Sequence, residues 1–249
     1  MLRFCGAAAC WIVMIMSVVA WVPPAAADDL NFSLGLKEQF ISLRRTLKLE
    51  RDTAGGSQTR NTETPRSNAV WMPAVVLNIS SDRWFVGAAA ATGSLSISEQ
   101  PSLSYSNPLY LQKSKVDLTE LHFAIGYTIG AGVSPYVGYL RHKQTTDLRC
   151  TGCTTTIELS HVGPGIIVDY PLADTRWAAY LNLALIQGFS IEGGLSYAGV
   201  RWPLVGVAGF SYRRIDYPAN QVSCGQTLFR CFRDQDVLSG PVLAVHYIF

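Results

Sequence analysis

From residue 30 onward the chain keeps returning to one pattern, an apolar side chain at every second position, interrupted at short intervals by turn residues. In 116–130 one parity carries Leu121, Phe123, Ile125, Tyr127 and Ile129, and the other carries Glu120, His122, Ala124, Gly126 and Thr128. In 175–188 Trp177, Ala179, Leu181, Leu183 and Leu185 alternate with Arg176, Ala178, Tyr180, Asn182 and Ala184. A period of two belongs to β-strands, whose successive side chains point to opposite faces of a sheet. Amphipathic helical periodicity is not found, so the chain reads as all-β. Ten segments carry the pattern: 30–46, 69–80, 83–97, 116–130, 134–147, 155–171, 175–188, 191–202, 204–217 and 236–249. The weakest break is "GFSIE", between the seventh and eighth segments; if that pair is misread as strands, eight remain.

One apolar and one polar face suit either a soluble sandwich or a membrane barrel, and three features favour the barrel. First, the less apolar face is unusually small (Gly35, Gly87, Ala89, Ala91, Gly163, Gly165) and dotted with charge, as a narrow lumen filled by its own side chains requires. Second, aromatic residues gather near the segment ends, among them Trp71, Trp84, Tyr170, Trp177, Trp202 and Tyr247, where rings with a polar handle meet a membrane interface. Third, short connections ("SDR", "AGVS", "LADT", "WP") alternate with long polar ones, the rhythm of tight turns on one rim and loops on the other. Only 15% of residues are charged, against roughly 25% in an average soluble domain. No stretch after residue 28 is long and apolar enough for a membrane helix, so membrane residence requires a closed barrel.

The first residues, Arg3 followed by "FCGAAACWIVMIMSVVAWV" and "PPAAADD", have the charged, apolar and small-residue regions of a secretory signal peptide, cleaved after Ala27. Residues 1–27 are thus expected to be removed and 28–249 to form the barrel. Losing Arg3, Cys5 and Cys10 leaves nineteen basic against eighteen acidic residues and four cysteines. A near-neutral chain gives no reason to expect nucleic acid as partner. The remaining cysteines form two close pairs, Cys150 with Cys153 and Cys224 with Cys231, in two predicted loops of one rim. In an exported protein they read as disulfides, with local pairing the simplest of three connectivities. A redox motif or a zinc site fits less well in an oxidising compartment.

The chain ends "VLAVHYIF", with Leu243, Val245, Tyr247 and Phe249 on one parity and Val242, Ala244, His246 and Ile248 on the other. With phrases such as "SPYVGYL" and "LVGVAGFSYRR", it resembles the small outer-membrane β-barrel superfamily of OmpA-like, OmpX-like and OmpW-like barrels across 28–249. The resemblance implies an antiparallel up-and-down transmembrane barrel in a bacterial outer membrane. It also implies a terminal signal, Tyr247 and Phe249, read by the barrel-assembly machinery. It carries no specific activity, so function has to come from the lumen and the loops.

On the lumen face Glu120 and Asp169 oppose Lys37, Arg176, Arg201 and Arg213, with His122, His161 and His246 beside them. Buried ions need partners, so these residues are expected to form a salt-bridged plug; a lined pathway for a small solute is the alternative. Ser160 and His161 are adjacent and point to opposite faces, which argues against a nucleophile and base pair. His142 with a loop serine has no fixed geometry. The expectation is a non-enzymatic, cofactor-free, monomeric surface barrel whose tied loops bind a partner or maintain the envelope. Lipid and lipopolysaccharide would surround it, with basic residues of "RTLKLERD" and "LQKSK" near lipid phosphates. A porin-like channel is the second reading and a lipid A-modifying enzyme the third.

Overall fold

The computed structural model describes residues 30–52, 58–63, 66–81, 83–98, 113–130, 132–147, 154–173, 175–217, 221–222 and 229–249. The first strands are β1 (Asn31–Asp52), β2 (Gln58–Glu63), β3 (Arg66–Ser67), β4 (Val70–Ser80) and β5 (Trp84–Ser98). They are followed by β6 (Lys113–Tyr127), β7 (Val133–Asp147), β8 (Thr154–Pro171) and β9 (Trp177–Ala184). β10 (Gly188–Ala198), β11 (Leu204–Asp216), β12 (Gln221–Val222) and β13 (Phe229–Ile248) complete the chain. All but the short β2, β3 and β12 form a ten-stranded antiparallel barrel, each strand pairing with the next and β13 returning to β1. The predicted segments 1–27, Cys150, Cys153 and Cys224 lie outside the described residues. So does the side chain of Cys231, whose backbone in β13 pairs with Leu49 and Val222.

"GFSIE" does mark a hairpin, which decides for ten strands over eight. Its turn is at Leu185–Gln187, and β10 begins at Gly188. Gly188 has φ +118°, and a Cβ there would fall 2.2 Å from the Arg214 carbonyl oxygen, so only glycine fits. The closing strand pairs Leu34 with Tyr247, Leu36 with Val245 and Glu38 with Leu243. Phe249 N–H donates to the Phe32 carbonyl at 2.8 Å, and its ring meets Tyr247 edge to face. The short turns Ser81–Arg83, Thr128–Gly132, Leu172–Arg176 and Gly199–Pro203 share this rim, here called the terminal end. The opposite rim is the loop end.

The two faces of the wall exchange character along the strands. Toward the terminal end, outward positions are apolar and exposed, as at Phe123, Ile125, Val137, Val162, Leu243 and Val245. These runs cover about nine residues, as from Tyr170 to Val162 or from Phe249 to Pro241, the length of a tilted strand crossing hydrocarbon. Aromatic residues border them: Trp84, Tyr127, Trp177 and Tyr247 toward the terminal end, and Trp71, packed on Phe40 at 4.9 Å, toward the loop end. Beyond Trp71 and Tyr139 the outward positions become polar, as at Ser42, Arg44, Thr92, Asp117, Arg141 and Glu158. There the inward positions become apolar instead. Ile41, Leu43, Leu95, Ile97, Val116 and Leu118 are buried in one cluster with Leu159, Ile215, Tyr217 and Leu238. A wall with apolar residues outside suits lipid, and one with apolar residues inside suits water. The barrel therefore has a membrane-type zone at the terminal end and a water-type extension at the loop end, filled by a largely apolar plug.

Candidate functional site in the barrel lumen

Beneath the plug lies a cavity of about 480 Å³. Its walls are small, with Ala74, Gly87, Ala89, Ala91, Ala124 and Ala244 leaving room for a few long side chains that reach across. Glu120 of β6 is the centre of its roof, with only 1% of its side chain exposed. Arg213 reaches it from β11 on the far wall, Nη1 to Oε2 at 2.6 Å. His142, its cross-strand neighbour on β7, places Nδ1 2.9 Å from Oε1, and His122 places Nε2 3.4 Å from Oε2. A buried carboxylate is tolerable only with such partners. A second strap joins Lys37 of β1 to Glu192 of β10, Nζ to Oε2 at 2.6 Å. Tyr136 O–H donates to Asn182 Oδ1 at 2.8 Å, and the Tyr136 ring lies over Gly165, whose Cβ would fall 2.1 Å from the ring. His246 lies over Gly35 in the same way.

Inside the plug Arg45 Nε reaches Asp236 Oδ1 at 3.4 Å, and Tyr217 O–H donates to Asp236 Oδ2 at 3.1 Å. Two layers therefore close the lumen, a charged strap across the roof of the cavity and an apolar filling above it.

Of the residues singled out in the sequence, Lys37, Glu120, His122, Arg213 and His246 line the cavity. Asp169 lines its terminal end and makes no ion pair among the described residues. Arg176, Arg201 and His161 are corrections to that set. Arg176 lies in the turn before β9, exposed, with Nη1 donating to the Gly199 carbonyl at 2.9 Å. Arg201 lies exposed in the next turn of the same rim. The sequence segments 175–188 and 191–202 include both residues, whereas β9 starts only at Trp177 and β10 ends at Ala198, which leaves both in turns. His161 has the inward parity opposite Leu140 but is exposed, because β9 does not continue beside it. Ser160 points outward and accepts from Tyr139 O–H at 3.2 Å, so the two residues stay apart as their alternation requires. His142 is buried against Glu120 rather than free to serve a loop serine.

Glu192, Asp236 and Arg45 were not singled out in the sequence. Glu192 had a legible signal, since it shares the inward parity of Ser190 and Ser196. Arg45 and Asp236 sit at the limits of the first and last predicted segments, where the apolar face changes sides.

No family model matches the chain, and no curated protein matches it either. Among solved structures, the outer membrane protease OmpT of Escherichia coli is similar at 11% identity, over 89% of this chain and 97% of that one, with a TM-score of 0.48. The outer membrane protein OprG of Pseudomonas aeruginosa is similar at 13% identity, over 87% and 95%, with a TM-score of 0.38. A FadL homologue of the same organism is similar at 9% identity, over 93% of each chain, also with a TM-score of 0.38. The form of the chain itself is that of a closed, antiparallel β-barrel, apolar outside and polar within at the level of the belt.

Proposed function

We propose that the protein is a monomeric barrel of a bacterial outer membrane that conducts no solute and catalyses no reaction, and that holds a rigid platform outside the membrane for surface binding. The exposed apolar belt with aromatic borders supports the membrane placement, because an apolar band of that height has no stable place in water. In this reading outer-membrane lipid surrounds the belt, with lipopolysaccharide at the loop end. The barrel-assembly machinery inserts the chain through Tyr247 and Phe249, and the pairs Cys150–Cys153 and Cys224–Cys231 tie the outer loops. The single observation that carries the non-conducting reading is the double closure of the lumen, Glu120 strapped to Arg213 beneath the buried Leu43, Leu95 and Leu118. The test is a planar-bilayer recording of the purified barrel. No steps above the bare-bilayer baseline are expected; a reproducible unitary conductance would replace this reading with the porin-like one.

A further inference from the structure

At the level of the belt, the wall between β8 and β11 is filled by the hairpin of β9 and β10. That hairpin is short. β9 pairs with β8 only along Gly165–Pro171, and the last rung is Leu185 N–H donating to the Pro164 carbonyl at 2.9 Å. β8 itself starts at Thr154 and is paired with β7 along Thr154–Val168. Residues 154–163 thus have a ladder on one flank and, among the described residues, none on the other.

Antiparallel alternation decides which backbone groups are left over. Asp169 N–H bonds to Gly132 on the β7 flank, and the Pro164 carbonyl bonds to β9 on the other. Odd-numbered residues therefore turn their N–H and C=O toward β7, and Thr156, Glu158, Ser160 and Val162 turn theirs to the open flank. Exposure agrees independently. Ser160, His161 and Val162 are exposed in succession, although an intact wall would cover His161. At the foot of the edge the turn lies against Gly163, whose Cβ would fall 2.1 Å from the Leu185 carbonyl oxygen. In that turn the Gln187 amide is buried with neither its oxygen nor its nitrogen hydrogen-bonded among the described residues.

Natural sheets blunt such edges with lysine, proline or bulges. "TTTIELSHVG" has none of these before Pro164, and its one carboxylate, Glu158, is neutralised by Arg141 at 2.6 Å. A second copy fits poorly as the occupant. Copies in one membrane point the same way, so a two-fold axis along the membrane normal would set two β8 edges parallel with identical residues level. Each N–H would then face an N–H. An extended segment of a different chain has no such constraint.

We propose that the edge of β8 along residues 154–163, unpaired on this flank among the described residues, docks an extended segment of another polypeptide, which adds as a strand antiparallel to β8 in line with β9. Backbone bonds to Thr156, Glu158, Ser160 and Val162 hold it, as in strand addition generally. Its inward side chains meet Leu159 and are apolar, and its outward ones lie beside Ser160 and Glu158 and are polar. The inference identifies the partner class of the surface reading above, and rests on the membrane placement only for the exclusion of a second copy.

The test uses the full barrel in detergent micelles and, as probe, a soluble decapeptide alternating valine and threonine. In the free protein, the amides of residues 156, 158, 160 and 162 should exchange with solvent freely while those of 157, 159 and 161 are protected. Peptide should slow the even set at least tenfold. Ser160→Pro removes one edge N–H and should weaken peptide binding at least tenfold, without changing heat-modifiable migration. An N-methylated peptide, which needs no variant of the protein, should bind at least tenfold more weakly as well. Protection of the even amides without peptide, absence of peptide binding, or equal binding of the N-methylated peptide would overturn the proposal. Those outcomes leave the closed lumen intact, and a conducting lumen would leave the edge intact, so the two failures are distinguishable.

Discussion

Replacing Arg213 with methionine isolates the strap that closes the lumen. The change keeps much of the side chain's length and removes the cation 2.6 Å from Glu120, whose side chain is 1% exposed. Breaking a buried pair by removing one member typically costs about 3–5 kcal/mol, because the remaining charge is left in a poor solvent. The value here should fall near the lower limit, about 3 kcal/mol, since His142 and His122 stay in contact with the carboxylate and keep it hydrogen-bonded. Glu120→Gln should be milder, about 1–2 kcal/mol, because Arg213 is 13% exposed and borders the cavity, where its guanidinium can remain hydrated. The double variant should cost about 2–3 kcal/mol, less than the sum of the single changes by a coupling of about 2 kcal/mol. Equilibrium urea unfolding of the barrel refolded into micelles, followed by the heat-modifiable band, measures all four proteins. A cost below about 1 kcal/mol for Arg213→Met, or additivity of the two single changes, would refute the reading of this contact as a strap.

Four further changes probe other parts of the account. Leu95→Ala leaves a cavity in the buried plug and should cost about 2–5 kcal/mol in the same unfolding assay. Leu243→Arg puts a charge on a lipid-facing position that is 52% exposed and should cost about 2–4 kcal/mol in phospholipid vesicles. Thr119→Arg, outward but beyond the belt, should stay within about 0.5 kcal/mol of the parent, so equal effects at the two sites would contradict the placement of the belt. Gly165→Leu drives a side chain into the Tyr136 ring and should cost about 1–3 kcal/mol. Loss of near-ultraviolet dichroism from a displaced Tyr136 would accompany it, and an unchanged spectrum would show that the ring does not rest on Gly165.

Period-two alternation made the strands legible. Leu121 to Ile129 and Trp177 to Leu185 sit on the outer face as their parity demanded, and His246 reaches the cavity because it alternates with Tyr247. What alternation does not reveal is which medium each face meets, and here the medium changes along a single strand. In β6, Phe123 and Ile125 are apolar outward, whereas two turns of the pleat nearer the loops Val116 and Leu118 are apolar inward. One face per strand is all that alternation offers, so the sequence gives no sign of the plug or of its buried Arg45, Asp236 and Gln144. Turn boundaries were the other weakness. An error of two residues at "LADTRW" and of four at "GVRWP" was enough to move Arg176 and Arg201 from the rim into the lumen. The short β9–β10 hairpin left a trace in the sequence, since "GFSIE" is shorter than the polar stretches that form the other connections of that rim.

The central claim is the change from a lipid-facing belt to a water-facing extension along the same strands. Its most direct measurement is the collision accessibility of single nitroxide labels on outward positions of β6, placed in turn at Ile125, Phe123, Thr119 and Asp117, in vesicles and with the native cysteines replaced by serine. The account predicts that labels at Ile125 and Phe123 collide with oxygen and are shielded from a polar nickel chelate, while those at Thr119 and Asp117 show the reverse. High chelate accessibility at all four positions would contradict it.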